Sequence, residues 1–191
     1  MDQKWGDKIP RGKPRTKHGS IRFTYADGTP VRAGGTGMRS TQSAQVERFK
    51  KVEPHYQFAF DRNYDAVAQI EAMEIEGLDI AVLFRTFPLH CDDSLDADFA
   101  MDLCKAWNDW MGVFIKEDPE RLKFAALITL HDADRAVDEA RRAIKELGAT
   151  GLCLVPEPVN GRHIHDHCFD PLWKEAEKSS VPICFHPAGF P

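Results

Sequence analysis

His186 is the residue whose position most clearly suggests chemistry. It directly follows the apolar run 183–185, and Pro187 after it restricts the His186 backbone to an extended conformation. A neutral imidazole presented at the end of a strand is a common ligand for a divalent metal such as zinc. A histidine in this position can also cap the edge of a sheet through hydrogen bonds. The residues alone leave both interpretations open.

Arg85 follows a second apolar run, residues 79–84, and is our candidate for binding a substrate. Its planar guanidinium can hold a carboxylate through two parallel hydrogen bonds. The alternative is a surface arginine that pairs with Asp92 or Asp93 a few residues later, and the local spacing slightly favours it. The position of Arg85 at a strand end keeps substrate binding as the functional hypothesis.

Other histidines are further candidates. His90 and His131 also lie near the ends of predicted strands. His163, His165 and His167 would share one face if that segment were extended, which could create an accessory metal site. The alternative is a solvated loop that binds metal adventitiously. No scaffold for this loop can be inferred, so we expect no native metal site there.

The elements that position these residues become regular from residue 61 onward. The apolar spacing predicts helices over 61–76, 94–116, 134–147 and from 170 onward. Asp134 and Asp170 are the predicted N-caps of the last two helices, with Pro171 at the first helical position. Short apolar strands are predicted at 79–84, 123–130, 150–155 and 181–185. Strands that alternate with helices should be parallel, so their C-terminal ends, with Arg85, His131 and His186, should share one edge.

The first 50 residues differ from the rest of the chain, which gives two regions, a basic N-terminal arm (1–50) and a β/α body (51–191). Residues 20–25 alternate, an Asp-Gly pair lies in a turn at 26–28, and residues 29–31 follow, which predicts a small hairpin. The glycines at 34–37 lack the Lys-Ser/Thr ending of a phosphate-binding loop and are interpreted as an ordinary loop. The arm carries net positive charge, although the whole chain has a formal net charge of -5. We expect the arm to pack on the acidic body or on a partner subunit rather than on nucleic acid.

Composition excludes several classes of protein. The chain has 191 residues and no apolar stretch long enough to cross a membrane, and its polar N-terminus is unlike a secretory signal. Five cysteines, an odd number without a CxxC pair, argue against a disulfide framework. We therefore expect a cytoplasmic protein with reduced thiols and no membrane partner.

Three segments of the body carry a resemblance to a known family. They are MEIEGLDIAVLF (73–84), the long run from WNDWMG to GLCLVP (107–156), and FDPLWKEAEKSSVPICFHPAG (169–189). Together they resemble the amidohydrolase-related family, the branch that includes aminocarboxymuconate-semialdehyde decarboxylase and related metal-dependent decarboxylases and hydrolases. KWGDKIPR (4–11) is similar to the stretch after that family's first strand.

The resemblance implies a partial TIM-type (β/α)8 barrel with about four parallel strands, similar to strands two to five. In the family, the strand-five His-Pro motif presents a metal ligand, and His186 occupies that place. The family's His-x-His or His-x-Glu motif would precede residue 1, and a further His and Asp would follow residue 191.

The activity implied by this resemblance is a non-oxidative decarboxylase of a small carboxylic acid that uses a divalent metal, expected to be zinc. The alternatives are a metal-dependent hydrolase of an amide, ester or lactone, and a non-catalytic fragment that acts only through partner contacts. The full-length protein is expected to be a homo-oligomer. The 191-residue chain alone is expected to be inactive, to have an open sheet, and to self-associate or be marginally stable unless the arm covers the open face.

Overall fold

The computed structural model describes residues 2–9, 11–12, 23–24, 53–85, 91, 93 and 95–186. The α-helices within these residues are α1 (Asp2–Trp5), α2 (Gln57–Asp61), α3 (Ala66–Glu76), α4 (Ala97–Phe114), α5 (Ala133–Leu147) and α6 (Asp170–Ser179). Short 3-10 turns lie at Gly6–Lys8, Glu53–Tyr56, Ile115–Glu117 and His167–Phe169. The strands are β1 (Arg11–Gly12), β2 (Phe23–Thr24), β3 (Ala81–Leu83), β4 (Leu122–Leu127), β5 (Gly151–Leu154) and β6 (Ile183–Phe185).

The last four strands form one parallel sheet in the order β3-β4-β5-β6, which is also their order along the chain. A helix precedes each strand, so every connection moves one position in the same direction. The sheet curls into half of a barrel with the helices on its outer side. Within the described residues, β3 and β6 each have one neighbour and form the two edges. The partial (β/α)8 fold and the open sheet expected from the sequence are therefore confirmed.

The core lies between the sheet and the helices because the central strands are apolar on both faces. Phe124 and Ala126 of β4 pack there with Leu152 and Leu154 of β5 and with Met111 of α4, and all five side chains are buried. Parallel strands that are covered on both faces require this continuous apolar composition. The same composition explains why the strands could be located from the sequence.

The helix boundaries depart from the sequence-based prediction at one place in the first part of the body. The helix expected over 61–76 is interrupted, since α2 ends at Asp61 and α3 begins at Ala66. Asn63 and Tyr64 between them have φ angles of 52° and 55°, in the left-handed region that a right-handed helix cannot contain. Asp65 then caps α3 by accepting a hydrogen bond from the Ala68 N–H.

The predicted caps of the last two helices are both wrong by one or two residues. Asp132, not Asp134, is the N-cap of α5, and its side chain accepts a hydrogen bond from the Arg135 N–H at 3.0 Å. The last helix begins at Asp170 itself, after Phe169, so Asp170 lies in its first turn rather than at the cap. At α5 two aspartates lie two residues apart, and the backbone geometry decides which one caps the helix, whereas the cap of α6 is Phe169 without a side-chain hydrogen bond.

Two adjacent arginines tie α5 to the helices on either side of it. Arg141 donates to the buried carboxylate of Glu175 on α6 at 3.0 Å, and this hydrogen bond is the main reason that the pKa of Glu175 is lowered. Arg142 donates to Asp109 on α4 at 2.6 Å and holds Glu139 of its own helix through two further bonds. The helical layer is thus joined by ion pairs as well as by apolar contacts.

The predicted hairpin of the N-terminal arm is described only in part. Phe23–Thr24 belongs to the first strand of the predicted hairpin. It pairs antiparallel with Arg11–Gly12, which precedes the hairpin in the sequence. The expected turn and second strand, and the glycines at 34–37, lie outside the described residues.

The first helix of the arm packs on α4. The Trp5 ring meets Phe99 edge to face, with ring centroids 5.0 Å apart, and Lys4 Nζ lies 2.9 Å from Asp102 Oδ2. Burial raises the pKa of Asp102, but hydrogen bonds from Lys4 and Trp5 outweigh it and leave the pKa lowered. This part of the arm therefore packs on the acidic body, as expected. Among the described residues, no helix is both long and apolar enough to cross a membrane.

The cap assignment gives a matched pair of variants. Asp132→Ala should lower the free energy of unfolding by about 1 kcal/mol, since the α5 N-terminus loses its side-chain acceptor. Asp134→Ala removes only a first-turn charge and should cost no more than a few tenths of a kcal/mol. Urea denaturation followed by circular dichroism measures both. Equal losses, or a larger loss for Asp134→Ala, would contradict the assignment.

Candidate functional site

The three residues that the sequence places after strands lie at one edge of the sheet. Arg85 follows β3, His131 follows β4 by four residues, and His186 comes directly after β6. Because the strands are parallel, these positions are all at their C-terminal ends. This edge is where βα barrels carry their active sites.

Arg85 and His186 meet at this edge. Arg85 Nη2 donates a 2.7 Å hydrogen bond to the backbone carbonyl oxygen of His186, and the Arg85 side chain is only 1% exposed. The His186 N–H donates to the Leu154 carbonyl oxygen at 2.9 Å, which extends the pairing of β5 and β6. The guanidinium therefore reaches from the end of β3 to the end of β6, and the alternative of a surface arginine is wrong.

The thiol of Cys153 on β5 lies close to this guanidinium. Burial raises the pKa of Cys153 to about 11, and the positive charge and hydrogen bonding of Arg85 oppose that rise. The thiol is thus neutral at physiological pH. Arg85 itself is buried, and away from water a positive charge interacts strongly with an approaching anion.

His131 is buried, and both of its ring nitrogens are engaged. Nε2 lies 3.0 Å from the Leu95 carbonyl oxygen, which can only accept, so Nε2 carries the proton. Nδ1 then accepts from the Thr129 hydroxyl at 2.6 Å in the neutral ring. The ring connects the end of β4 to the segment before α4. These contacts give His131 a structural role in this arrangement.

The cluster His163, His165 and His167 does not form the extended face that was considered from the sequence. The segment turns, with the Asp166 N–H bonded to the His163 carbonyl oxygen, and a 3-10 turn begins at His167. The exposed His163 and His165 rings stack with centroids 5.3 Å apart, whereas His167 Nδ1 lies 3.2 Å from Asp170. His90 lies outside the described residues.

Asn108 of α4 is a residue of this region that sequence reasoning missed. Its Oδ1 accepts from the Leu127 N–H at 2.8 Å, and its Nδ2 donates to the Leu127 carbonyl oxygen at 3.0 Å and to Glu139 at 2.7 Å. The next residue, Ile128, donates its N–H to Cys153 of β5, so the Leu127 groups point to the opposite side, toward β3. The amide thus takes the place of a strand beside the end of β4. The sequence did contain one sign of this role, because Asn108 is a polar residue within the buried stripe of α4.

The family comparison agrees with this geometry. The family described as amidohydrolase matches residues 89–191, which is more than half of the chain. The chain belongs to the amidohydrolase family. The resemblance stated from the sequence is therefore confirmed.

Among similar proteins are two curated decarboxylases. The 2-amino-3-carboxymuconate-6-semialdehyde decarboxylase of Dictyostelium discoideum is 27% identical over 124 residues, 65% of this chain and 34% of that protein. The gamma-resorcylate decarboxylase of Rhodococcus jostii is 29% identical over 96 residues, 46% of this chain and 29% of that protein. This amidohydrolase chain thus spans about a third of the length of each relative.

A solved relative shares the fold. The 5-carboxyvanillate decarboxylase of Novosphingobium aromaticivorans, crystallised with bound manganese, is 26% identical with a TM-score of 0.55, covering 63% of this chain and 35% of that one.

The described residues of this amidohydrolase chain do not by themselves fit a catalytic metal. Catalytic zinc takes three protein ligands. Within the described part of the chain, no group of three or more His, Cys, Asp or Glu side chains is arranged to hold an ion. His186 is a candidate for one metal ligand only, which is fewer than a catalytic metal requires.

The position of Asn108 leads to a stability prediction. Asn108→Ala should lower the free energy of unfolding by about 3 kcal/mol, since two buried backbone groups of Leu127 lose their partner and Glu139 loses one of its hydrogen bonds. Lys105→Ala on the same helix, at an exposed position, is the control and should change stability by less than about 0.5 kcal/mol. Urea denaturation measures both. Similar values for the two variants would show that the amide is dispensable.

Proposed function

We propose that this chain is part of a metal-dependent enzyme that decarboxylates a small carboxylic acid without oxidation. The observation that carries the proposal is the contact between Arg85 and His186 at the C-terminal edge of the half-barrel. It is supported by the family and by curated relatives that are decarboxylases. The substrate panel to test follows from the names of those relatives: 2-amino-3-carboxymuconate semialdehyde, gamma-resorcylate and 5-carboxyvanillate.

Arg85 is assigned to the substrate. In decarboxylation the carbon–carbon bond to the carboxylate breaks, CO2 leaves, and a proton takes its place on carbon, so no oxidant or reductant is consumed. The guanidinium binds and orients the anionic substrate through charge and paired N–H donors. Because the side chain is 1% exposed, a substrate reaches it only when the residues that cover it move aside.

His186 is assigned to a divalent metal. When bound, such a metal stabilises negative charge on the substrate as the reaction proceeds. Manganese in the solved 5-carboxyvanillate decarboxylase supports a divalent metal, without favouring zinc over manganese. The remaining ligands are proposed to come from residues other than the described ones.

Two further assignments belong to the full-length protein. All five cysteines are free thiols, which supports a cytoplasmic location. A homo-oligomer that binds a small molecule, without nucleic acid or membrane partners, is the proposed working form.

The activity can be tested on the protein encoded by this reading frame together with its flanking DNA, extended to the length of the relatives. With Mn²⁺ or Zn²⁺ it should release CO2 from at least one acid of the panel. His186→Ala and Arg85→Ala should each lower kcat/KM by at least about a hundredfold, since each removes one charge-stabilising group. His163→Ala, at an exposed position, is the control. Hydrolysis of esters, amides or lactones without CO2 release would instead establish the hydrolase, and inactivity with every metal and substrate would contradict the proposal.

The 191-residue chain by itself should be inactive and should not retain a metal. One assigned ligand is too few for tight binding. Elemental analysis after treatment with a chelator and dialysis measures the metal content. Retention of one metal ion per chain would show that His90, His131 or the 163–167 segment supplies metal ligands in addition to His186.

A further inference from the structure

Two buried cysteines meet where the chain after β3 packs against α4. Cys91, six residues beyond Arg85, and Cys104 on α4 have their Sγ atoms 3.5 Å apart, and both side chains are fully buried. The Cys91 thiol donates a weak hydrogen bond to the Ala100 carbonyl oxygen, which lies 3.8 Å from its sulfur and can only accept. The Cys104 thiol therefore donates to the Cys91 sulfur, and the two sulfur atoms are in direct contact.

The pair lies in a small apolar cluster that is separate from the main core between the sheet and the helices. Besides the two cysteines, its buried members are Phe99, Ala100, Leu103 and Leu127. Small groups of apolar contacts beside a connecting segment open at a lower free-energy cost than the strands of the core. The cluster can thus open and admit a small oxidant while β4 and β5 stay paired.

Burial sets how these thiols react. It raises the pKa of Cys104 well above its ordinary value, and the hydrogen bond with Cys91 adds to the rise. Because the thiolate is the reactive form, the closed cluster protects the pair. Oxidation therefore has to begin in the open state. When the cluster closes again, the oxidised sulfur is brought back beside the second thiol, which favours a bond between the two.

We propose that Cys91 and Cys104 form a modification site at which a peroxide produces a reversible disulfide. In the first step a thiolate attacks one oxygen of hydrogen peroxide, the O–O bond breaks, and a sulfenic acid forms. The hydroxide that leaves takes up the thiol proton and becomes water. The second thiol then attacks the sulfenic sulfur, and a second water leaves as the S–S bond forms. The two thiols lose two electrons and two protons, and one peroxide is reduced to two waters.

The bond requires only a small displacement. An S–S bond is about 2.05 Å long, so the two sulfur atoms must approach each other by about 1.5 Å. The amide of Asn108 fixes α4 to β4 through both backbone groups of Leu127, so we assign the displacement to the chain around Cys91. The disulfide would therefore fasten the chain that follows Arg85 to α4.

The effect of the disulfide on catalysis rests on the proposed function. Arg85 is buried, so a substrate reaches it only when the chain around it moves. A covalent bond between Cys91 and α4 restricts that movement, and the oxidised enzyme should turn over more slowly. Formation of the bond is measured without a substrate. Its failure is therefore distinguishable from failure of the proposed activity.

The first test is to oxidise the purified 191-residue chain with hydrogen peroxide, alkylate the remaining thiols and analyse the peptides by mass spectrometry. Trypsin leaves both cysteines in one peptide, residues 86–105, because no Lys or Arg lies between them. We expect this peptide to escape alkylation and to be two hydrogens lighter than its reduced form. Cleavage before the aspartates between the two cysteines should release two fragments that stay joined. Dithiothreitol should separate them and restore both thiols.

The other cysteines supply the controls. Cys168 is exposed, and Cys168→Ser should leave the disulfide intact, whereas Cys91→Ser or Cys104→Ser should abolish it. A wild-type chain in which both buried thiols can still be alkylated, at a peroxide dose that oxidises Cys168, would overturn the proposal. A disulfide between Cys153 and Cys184, which are register partners on β5 and β6, would also overturn it. Both readings come from the wild-type chain, so they stand even where a variant fails to fold.

The consequence for catalysis is tested on the full-length protein. Peroxide should lower kcat/KM of the wild-type enzyme by at least about tenfold, and dithiothreitol should restore it. The Cys91→Ser enzyme should keep its activity through the same treatment. Equal losses in the two enzymes would place the damage at another residue and overturn the regulatory role of the disulfide.

Discussion

The burial of β4 is the constraint on which the rest of the structure depends. This strand lies inside the sheet, and every side chain of it except Lys123 is fully buried. Its position sets the register of β3 on one side and, through β5, that of β6 on the other. The helices can pack only where β4 and β5 present apolar side chains outward. The edge that gathers Arg85 and His186 is a consequence of that alignment.

The order and type of the elements in the body followed from the sequence because burial leaves a strong pattern. Continuous apolar runs such as that around Phe124 predict strands covered on both faces, and three- and four-residue spacing predicts the helices between them. Boundaries were less predictable. The choice between Asp132 and Asp134 as a cap, or the interruption at Asn63 and Tyr64, depends on backbone geometry that residue type alone does not determine.

The candidate site was predictable in location but not in its contacts. Parallel strands bring the residues after them to one edge, so the neighbourhood of Arg85 and His186 followed from chain order. The burial of Arg85 and its hydrogen bond to a backbone carbonyl did not follow, because they depend on how far the ends of β3 and β6 lie from each other. The engagement of both His131 nitrogens likewise depends on Leu95, which is distant in sequence.

The side-chain amide of Asn108 forms the backbone hydrogen bonds of Leu127 that a neighbouring strand would otherwise form. A neighbouring strand would satisfy Leu127 and would also hold the chain after β3 against β4. Here a side chain of α4 satisfies Leu127, and the described pairing of β3 with β4 ends at Leu83 and Phe124. The end of β4 is thus held in place by α4 rather than by pairing with β3. The scaffold under the candidate site therefore tolerates sequence change in β3 better than sequence change at Asn108.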